Sequence, residues 1–149
     1  MLTMKGKYGL KAMVHLAGCT LGTPEQVLAI AGHNGISKKF LDAILSELRV
    51  AGLVVSKKGK GGGYALARPA HSISVGEIVR VLDGPLAPIA CASRTQYRRC
   101  RDCEDETHCT VRRMMAEVRE AIARVLDNRS LAEMRALGSP TLDGIDFEI

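Results

Sequence analysis

The sequence predicts a mainly α-helical protein with one small β-hairpin. Apolar residues recur at helical spacing in several segments, and one glycine-rich stretch separates two short apolar runs. A long apolar stripe follows a segment rich in cysteine. Hydrophobic residues make up 46% and charged residues 25% of the 149 residues, the balance of a soluble globular chain. Only 3% of the residues are aromatic, so the core must be aliphatic.

Three helices are predicted in the first half of the chain. Apolar residues at helical spacing predict the first helix within residues 4–19. Thr23, which Pro24 follows, predicts the start of the second helix. Ser37 is the predicted cap of the third, which ends near Gly52. Helix, short glycine-containing turn and helix together are the outline of a helix-turn-helix motif.

A β-hairpin follows the third helix. Residues 53–56 and 64–67 are short apolar runs on either side of a turn rich in lysine and glycine. This turn is not a nucleotide-binding P-loop, because neither a Ser or Thr nor a helix follows its Gly59-Lys60 pair. A hairpin in this position is typical of the wing of a DNA-binding domain. We therefore predict a winged helix-turn-helix domain over residues 1–68.

The charge distribution also favours nucleic-acid binding by this first half. Residues 1–68 contain ten Lys and Arg against three Asp and Glu, a net charge of +7, whereas residues 69–149 carry −2. A basic face that is merely solvated is the alternative. Two lysines lie in the first turn of the third helix, where the helix dipole disfavours cations and DNA phosphates would compensate. The predicted DNA contacts are Ser37, Lys38 and Lys39 of this helix and Lys57, Lys58 and Lys60 of the hairpin.

The second half is predicted to contain a connecting segment and the helix through which the protein dimerises. Residues 69–88 form a connecting helix, opened by a Ser74–Glu77 capping box, and a linker. Residues 110–137 form a long dimerisation helix and a short terminal helix, and residues 138–149 form a flexible tail. The stripe of the long helix packs on its own domain or on its twin, and symmetric reading of two half-sites favours a homodimer. The predicted interface residues are Val111, Met114, Met115, Val118, Ile122 and Val125.

Residues 89–109 have neither a helical nor a strand period and contain Cys91, Cys100, Cys103 and Cys109. Thiolates select zinc, copper(I) or iron–sulfur clusters, and only one pair here has the spacing of a zinc site. A cluster, a zinc ion and a reversible disulfide are therefore all open. Neighbouring arginines would offset the charge of a cluster and lower the pKa values of the thiols. Cys19, which has apolar neighbours, is expected to be a small core residue.

Enzymatic and membrane functions are not expected. A dithiol oxidoreductase places its Cys-x-x-Cys motif at the start of a helix beside a βαβ unit, and neither is predicted around Cys100 and Cys103. No apolar run approaches the about 18 residues of a membrane span. The first residues lack the layout of a signal peptide, so we expect a cytoplasmic protein.

Four segments carry a family resemblance: KGKYGL at residues 5–10, GISKKFL at 35–41, GKGGGYAL at 59–66 and ISVGEI at 73–78. With them, residues 1–137 resemble the bacterial iron–sulfur winged-helix transcription regulators of the IscR, NsrR and RirA type. The resemblance implies that Cys91, Cys103 and Cys109 bind an iron–sulfur cluster of the two-iron or four-iron type.

The fourth cluster ligand departs from the family pattern. Some members use a histidine where this chain has Arg112, and others use an acidic residue where it has Lys7. The predicted fourth ligand is Cys100, with His108 or a non-protein ligand as the alternative. The sequence and this resemblance together predict a DNA-binding transcription regulator, a repressor or an activator, that senses iron, iron–sulfur or redox and nitrosative status. The alternative is the same dimer with a zinc or thiol/disulfide switch and no cluster.

Overall fold

The structure, a computed structural model, describes residues 2–139. The predicted class, mainly helical with one antiparallel hairpin, is confirmed. Within the described residues, no helix is both long enough and apolar enough to cross a bilayer. Most of the predicted flexible tail, from residue 140 onward, lies outside the described residues. The elements are α1 (Met4–Ala17), α2 (Val27–Asn34), α3 (Lys38–Val50), β1 (Val54–Lys57), β2 (Gly63–Leu66), α4 (Val75–Asp83), α5 (Thr110–Asp127) and α6 (Leu131–Ala136).

Helix starts follow the capping signals in most places. The hydroxyl of Ser37 accepts a hydrogen bond from the backbone N–H of Phe40 at 3.3 Å and caps α3. Complete capping boxes open α4, through Ser74 and Glu77, and α6, through Ser130 and its third helical residue. Such caps satisfy backbone N–H groups that have no partner within the helix.

The predicted start of α2 at Thr23 is wrong. The helix begins at Val27, because the backbone of Glu25 pairs with Tyr64 of β2 instead. The two backbone hydrogen bonds of this bridge measure 2.8 and 2.9 Å. A segment bonded in this extended form cannot also be the first turn of a helix. The chain before α2 instead runs antiparallel beside β2 and pairs with it at one position.

The hairpin requires glycine where it meets this segment. Its register pairs Val54 with Leu66 and Lys57 with Gly63. Gly63 has a φ of 152°, and a Cβ there would lie 2.1 Å from the carbonyl oxygen of Glu25. Only a residue without a side chain allows the two backbones to approach this closely.

One aliphatic core joins the helix-turn-helix to α4 and α6. α1 docks on the end of α4, where the Thr3 backbone N–H donates to Asp83 Oδ2 at 2.9 Å. Leu131 of α6 is fully buried, and its N–H donates to Ile73 O at 2.8 Å. The least exposed large side chains of the core are Met13, Leu16, Ile30, Leu41, Ile44, Leu45, Leu48, Val54, Ile73, Ile78 and Leu131.

Helix α5 lies at the edge of this core and packs against it through the half-buried Leu126. None of its residues is buried. Near its C-terminal end, Asp127 accepts two hydrogen bonds from Arg80 of α4, at 2.6 and 2.8 Å. The guanidinium lowers the pKa of Asp127, which stays ionised and holds α5 against α4.

Candidate nucleic-acid interface and cysteine loop

The predicted DNA-contacting residues of α3 lie on its exposed N-terminal turn. Ser37 is exposed, although its hydroxyl is already used as the helix cap. Lys38 forms an ion pair with Asp42 one turn later, at 2.8 Å, so part of its charge is offset in the free protein. Lys39 is exposed and has no ion-pair partner among residues 2–139. Lys39 is therefore the cation of this turn that is free to meet a phosphate.

The wing presents a second cationic surface. Lys57, Lys58 and Lys60, here called the wing lysines, are all exposed. They surround a tight turn in which the N–H of Gly62 donates to the carbonyl of Gly59 at 3.0 Å. Exposed lysines on a narrow glycine turn can approach a phosphate backbone without steric hindrance.

A cleft of about 540 Å³ connects these two surfaces, running between the start of α2, α3 and the hairpin. Among residues 2–139, no acidic side chain lines it and four cationic side chains do: Lys38, Arg49, Lys57 and Lys58. The sequence reasoning missed Arg49. It lies eleven positions after Lys38, and with 3.6 residues per turn that spacing places both on the same face of α3. Helical periodicity applied to charged residues could have found it.

The four predicted loop cysteines lie between α4 and α5. Cys91 is buried in a short 3₁₀ turn, and its Sγ is 3.9 Å from the Sγ of the exposed Cys100. Cys103 is half-buried in the loop between them and α5. Cys109 is the cap residue of α5, because its Sγ accepts a hydrogen bond from the backbone N–H of Arg112 at 3.4 Å.

Arg112 fastens the loop at several points. Its Nε donates to the carbonyl oxygen of Cys91 at 2.9 Å, and its Nη1 donates to that of Glu106 at 3.4 Å. The guanidinium also lies 5.9 Å from the ring centroid of Tyr97, within cation–π range. Arg112 therefore ties the buried cysteine and the middle of the loop to the first turn of α5.

The expectation that arginines lower the thiol pKa values is wrong for two cysteines. The hydrogen bond and charge of Cys91 raise the pKa of the Cys100 thiol. Partial removal from water, and then the neighbouring Cys109, raise the pKa of Cys103, whereas Arg99 lowers it only in part. Thiols placed close together oppose one another's ionisation, because two thiolates would repel. A bound cation would oppose this repulsion and favour the thiolate forms.

The loop provides a donor set that suits a metal centre. Four soft sulfur ligands on one irregular segment fit an iron–sulfur cluster or zinc, and the Cys91–Cys100 distance shows that two of them already converge. Within residues 2–139, the loop does not bring three ligand atoms within 4.8 Å of one another. His108 pairs through Nδ1 with Asp105 at 2.6 Å, and its side chain is 75% exposed.

The predicted dimer residues form one face of α5. They lie at offsets of 0, 3, 4, 7, 11 and 14 from Val111, the spacing of one face of a helix. Val111 is 59%, Met114 51% and Val125 60% exposed, and together they form an apolar patch on one face of the helix. Met115, Val118 and Ile122 are half-buried.

Comparison with known proteins identifies the family. The family described as "Rrf2: Iron-dependent Transcriptional regulator" matches residues 2–136. A rrf2-like HTH-type transcriptional regulator of Rhodobacter capsulatus is 42% identical over 143 residues, 94% of this chain and 95% of the relative.

Solved structures agree with the sequence comparison. The global cysteine regulator CymR of B. subtilis superposes with a TM-score of 0.76 at 32% identity, covering 93% of this chain and 98% of the other. IscR of T. potens superposes with a TM-score of 0.74 at 31% identity, covering 95% and 90%. These relatives are transcription regulators and not enzymes, and the predicted winged-helix fold and family resemblance are confirmed.

Proposed function

This chain belongs to the Rrf2 family of DNA-binding transcription regulators, and on that premise we propose that it is a homodimer whose cysteine loop binds an iron–sulfur cluster and controls DNA affinity. The observation that carries the sensing part is the placement of the loop. Its last cysteine, Cys109, caps α5, so a change in the loop acts directly on the helix proposed to join the two subunits.

DNA binding is proposed to use α3 and the wing together. The N-terminal turn of α3, with Ser37, Lys38 and Lys39, enters the major groove, and the wing lysines contact the flanking phosphates. The four cationic side chains that line the cleft between these surfaces support this arrangement, because DNA phosphates are contacted by such cations. Arg49 joins the proposed phosphate contacts.

Dimerisation is proposed to occur through the apolar face of α5. In one chain this face leaves three large side chains more than half exposed. A second copy related by two-fold symmetry would cover them, and it would place two α3 helices on successive half-sites.

The cluster is proposed to be held by Cys91, Cys103 and Cys109, with Cys100 as the fourth ligand and His108 as its alternative. The bound cluster would supply a redox-active and chemically labile group. Cys91 would anchor it on the protein side, because this cysteine is 4% exposed and its carbonyl is fixed by Arg112. Arg99, which donates to the carbonyl oxygens of residues 103 and 104, would offset its negative charge.

The decisive experiment is anaerobic purification followed by visible absorbance and by iron, sulfide and zinc analysis. We expect iron and sulfide in near-stoichiometric amounts, and we expect Cys91→Ser, Cys103→Ser and Cys109→Ser to lose both. Cys19→Ser is the matched control, since it removes a thiol outside the loop. Protein that binds no iron and sulfide under these conditions contradicts the cluster.

Coupling to DNA is tested separately. A duplex selected from a random library is titrated with cluster-bound and cluster-free protein at one salt concentration. We expect the two affinities to differ by at least about fivefold, the low end of typical coupling between sites. Equal affinities would reject the sensor function and leave DNA binding intact.

A zinc or thiol/disulfide switch is the second candidate. The 3.9 Å between the Cys91 and Cys100 sulfurs favours it, because a small shift would bring the pair to bonding distance. It predicts either one zinc per chain or a Cys91–Cys100 disulfide by mass spectrometry after mild oxidation. If the loop holds a cluster, we expect neither this disulfide nor any zinc that is lost on replacing Cys91 or Cys103 by serine.

A further inference from the structure

A second group of potential metal ligands lies in the DNA-binding half, far along the chain from the cysteine loop. Ligand atoms of His15, Cys19 and Glu25 all lie within 4.8 Å of one another. Glu25 Oε2 is 3.5 Å from the Sγ of Cys19 and 3.7 Å from the Nε2 of His15. Cys19, expected to be a core residue, is instead half-buried and faces these polar groups.

Local structure explains why the three meet. His15 is in the last turn of α1, and the backbone N–H of Cys19 continues that turn by donating to Leu16 O at 3.0 Å. Glu25 approaches from the extended segment before α2, where its backbone is fixed by the bridge to Tyr64. The backbone of all three ligand residues is therefore fixed by secondary structure.

The site is accessible and has a further donor nearby. A cleft of about 720 Å³ between α1, α2 and α6 is lined by His15, Cys19 and His33. The rings of His15 and His33 meet edge-on, with centroids 4.8 Å apart. A cation could enter from solvent and find a second imidazole beside the first.

Without a metal, the same groups satisfy one another. The Cys19 thiol donates to Glu25 Oε2 and to the carbonyl oxygen of His15, each at 3.5 Å, and His15 faces the same carboxylate. A metal-free cluster, held by an ion pair and a thiol hydrogen bond, is therefore the alternative to a metal site. This alternative does not explain why a thiol and an imidazole both lie beside one carboxylate oxygen. Thiol, imidazole and carboxylate are the three side-chain ligand types of zinc.

We propose that His15, Cys19 and Glu25 bind a zinc-type divalent cation, with His33 or water as the fourth ligand. On binding, a metal–sulfur bond replaces the S–H bond of Cys19 and the proton passes to solvent. Three protein ligands of mixed type with one open position match a tetrahedral zinc site. Because Glu25 pairs with β2, the cation would link the end of α1 to the strand that carries the wing.

This proposal is independent of the cluster. It concerns ligands outside residues 89–109, so iron binding by the loop neither supports nor contradicts it. The two are separated by a variant in which the four loop cysteines are replaced by serine, which leaves Cys19 as its sole thiol.

Co²⁺ is the spectroscopic probe for the test. We expect this variant, with a native circular dichroism spectrum, to bind one Co²⁺ with a thiolate charge-transfer band and the intense visible bands of tetrahedral coordination. Zn²⁺ should displace it. The further change Cys19→Ser should abolish the thiolate band, and His15→Gln or Glu25→Gln should weaken binding by about tenfold or more. His71→Gln is the matched control and should leave binding unchanged.

Two results would overturn the site. One is the absence of a thiolate–Co²⁺ band in the folded variant, and the other is a band that survives Cys19→Ser. If the loop variant fails to fold, zinc content is compared between the otherwise intact chain and its Cys19→Ser form. The proposal expects one equivalent fewer in Cys19→Ser, and equal zinc content rejects it.

Discussion

The winged-helix half and α5 both contain regularly spaced apolar residues, but only the first buries them in one chain. In α3, Leu41, Ile44, Leu45 and Leu48 are completely buried. In α5, which is five residues longer, no residue is buried. The same periodic pattern therefore has two outcomes. The apolar residues of the winged-helix half are covered by contacts within the chain. The apolar face of α5 stays partly exposed and could be covered by a second surface.

The two groups of potential metal ligands differ in the same way. His15, Cys19 and Glu25 are gathered within 4.8 Å by helices and a backbone bridge of the core. The loop cysteines lie on an irregular segment in which only Cys91 is buried. A preformed ligand set suits the proposed structural ion, whereas a loop that would have to close around its ligand suits the proposed sensor.

Breaking the proposed dimer should have the largest effect. The double substitution Met114→Glu and Val125→Glu places charges on the exposed face of α5, where the packing within one chain is not disturbed. We expect a monomer by analytical ultracentrifugation and about a 1000-fold loss of affinity for a two-half-site duplex, because the avidity of the second head is lost.

Glu117→Lys is the matched control, since it changes a charge on α5 away from the apolar face. It should remain a dimer. If the double variant remains dimeric, the proposed role of this face is wrong and α5 must be covered in another way.

Truncating the core should be the next largest effect. Ile44 of α3 is fully buried in the aliphatic core, so Ile44→Ala should lower the free energy of unfolding by about 3 kcal/mol. For a chain of this size, that is a fall of roughly 10 °C in Tm. Val50→Ala, on the same helix at a position 82% exposed, should change it by less than about 0.5 kcal/mol. Similar losses at both positions would contradict the described core.

Removing the wing lysines should reduce DNA binding without affecting folding. Replacing all three with alanine should weaken duplex binding by roughly tenfold to a hundredfold at moderate salt. The slope of log K against log salt should become shallower by about three per bound protomer, because each phosphate contact contributes about 0.9.

The same number of charges is removed in the control, with Lys11→Ala, Arg124→Ala and Arg129→Ala together. These residues lie outside the cleft that α3 and the hairpin form. A control that lowers the salt slope as much as the wing variant would show that net charge, and not the wing, determines binding.

The smallest expected effect concerns the ion pair that joins the two regions. Asp127→Asn should lower the free energy of unfolding at neutral pH by no more than about 1 kcal/mol, because both partners are more than a third exposed and water screens them. The folded pKa of Asp127 lies below its unfolded value, which is about 3.9. Its contribution is therefore present above that pH and is lost as the pH falls through the folded pKa.

The measurement is urea unfolding of both proteins from pH 7 to pH 3. The difference between them should narrow in the acidic part of the range. Asp102→Asn, in the loop, is the control and should show no such narrowing. A difference that grows on acidification would show that Arg80 does not stabilise the ionised carboxylate.

Signals between near neighbours were predicted well. The Ser74–Glu77 capping box and the Ser37 cap each join residues three positions apart, so they can be recognised in the sequence alone. The burial of Ile44 and Leu48 followed from helical spacing. Phe40 is 36% exposed, because it lies at the edge of this face in the first turn of α3.

Features that depend on distant parts of the chain were missed. The start of α2 was misplaced because the partner of Glu25 is Tyr64, which no local signal connects to it. The raised pKa values of Cys100 and Cys103 depend on which thiols are neighbours in space, and counting arginines gave the opposite direction. Cys19 was assigned to the core from its apolar neighbours in the sequence, whereas in the fold its thiol faces Glu25.

By itself, the sequence determined the helices, the hairpin, the basic first half and the cysteine-rich loop, because periodicity, caps and charge are properties of neighbouring residues. Only the tertiary structure decided which apolar face stays exposed, which sulfur atoms meet and where Glu25 is held. These depend on how separate elements pack, and packing is set by the whole chain at once.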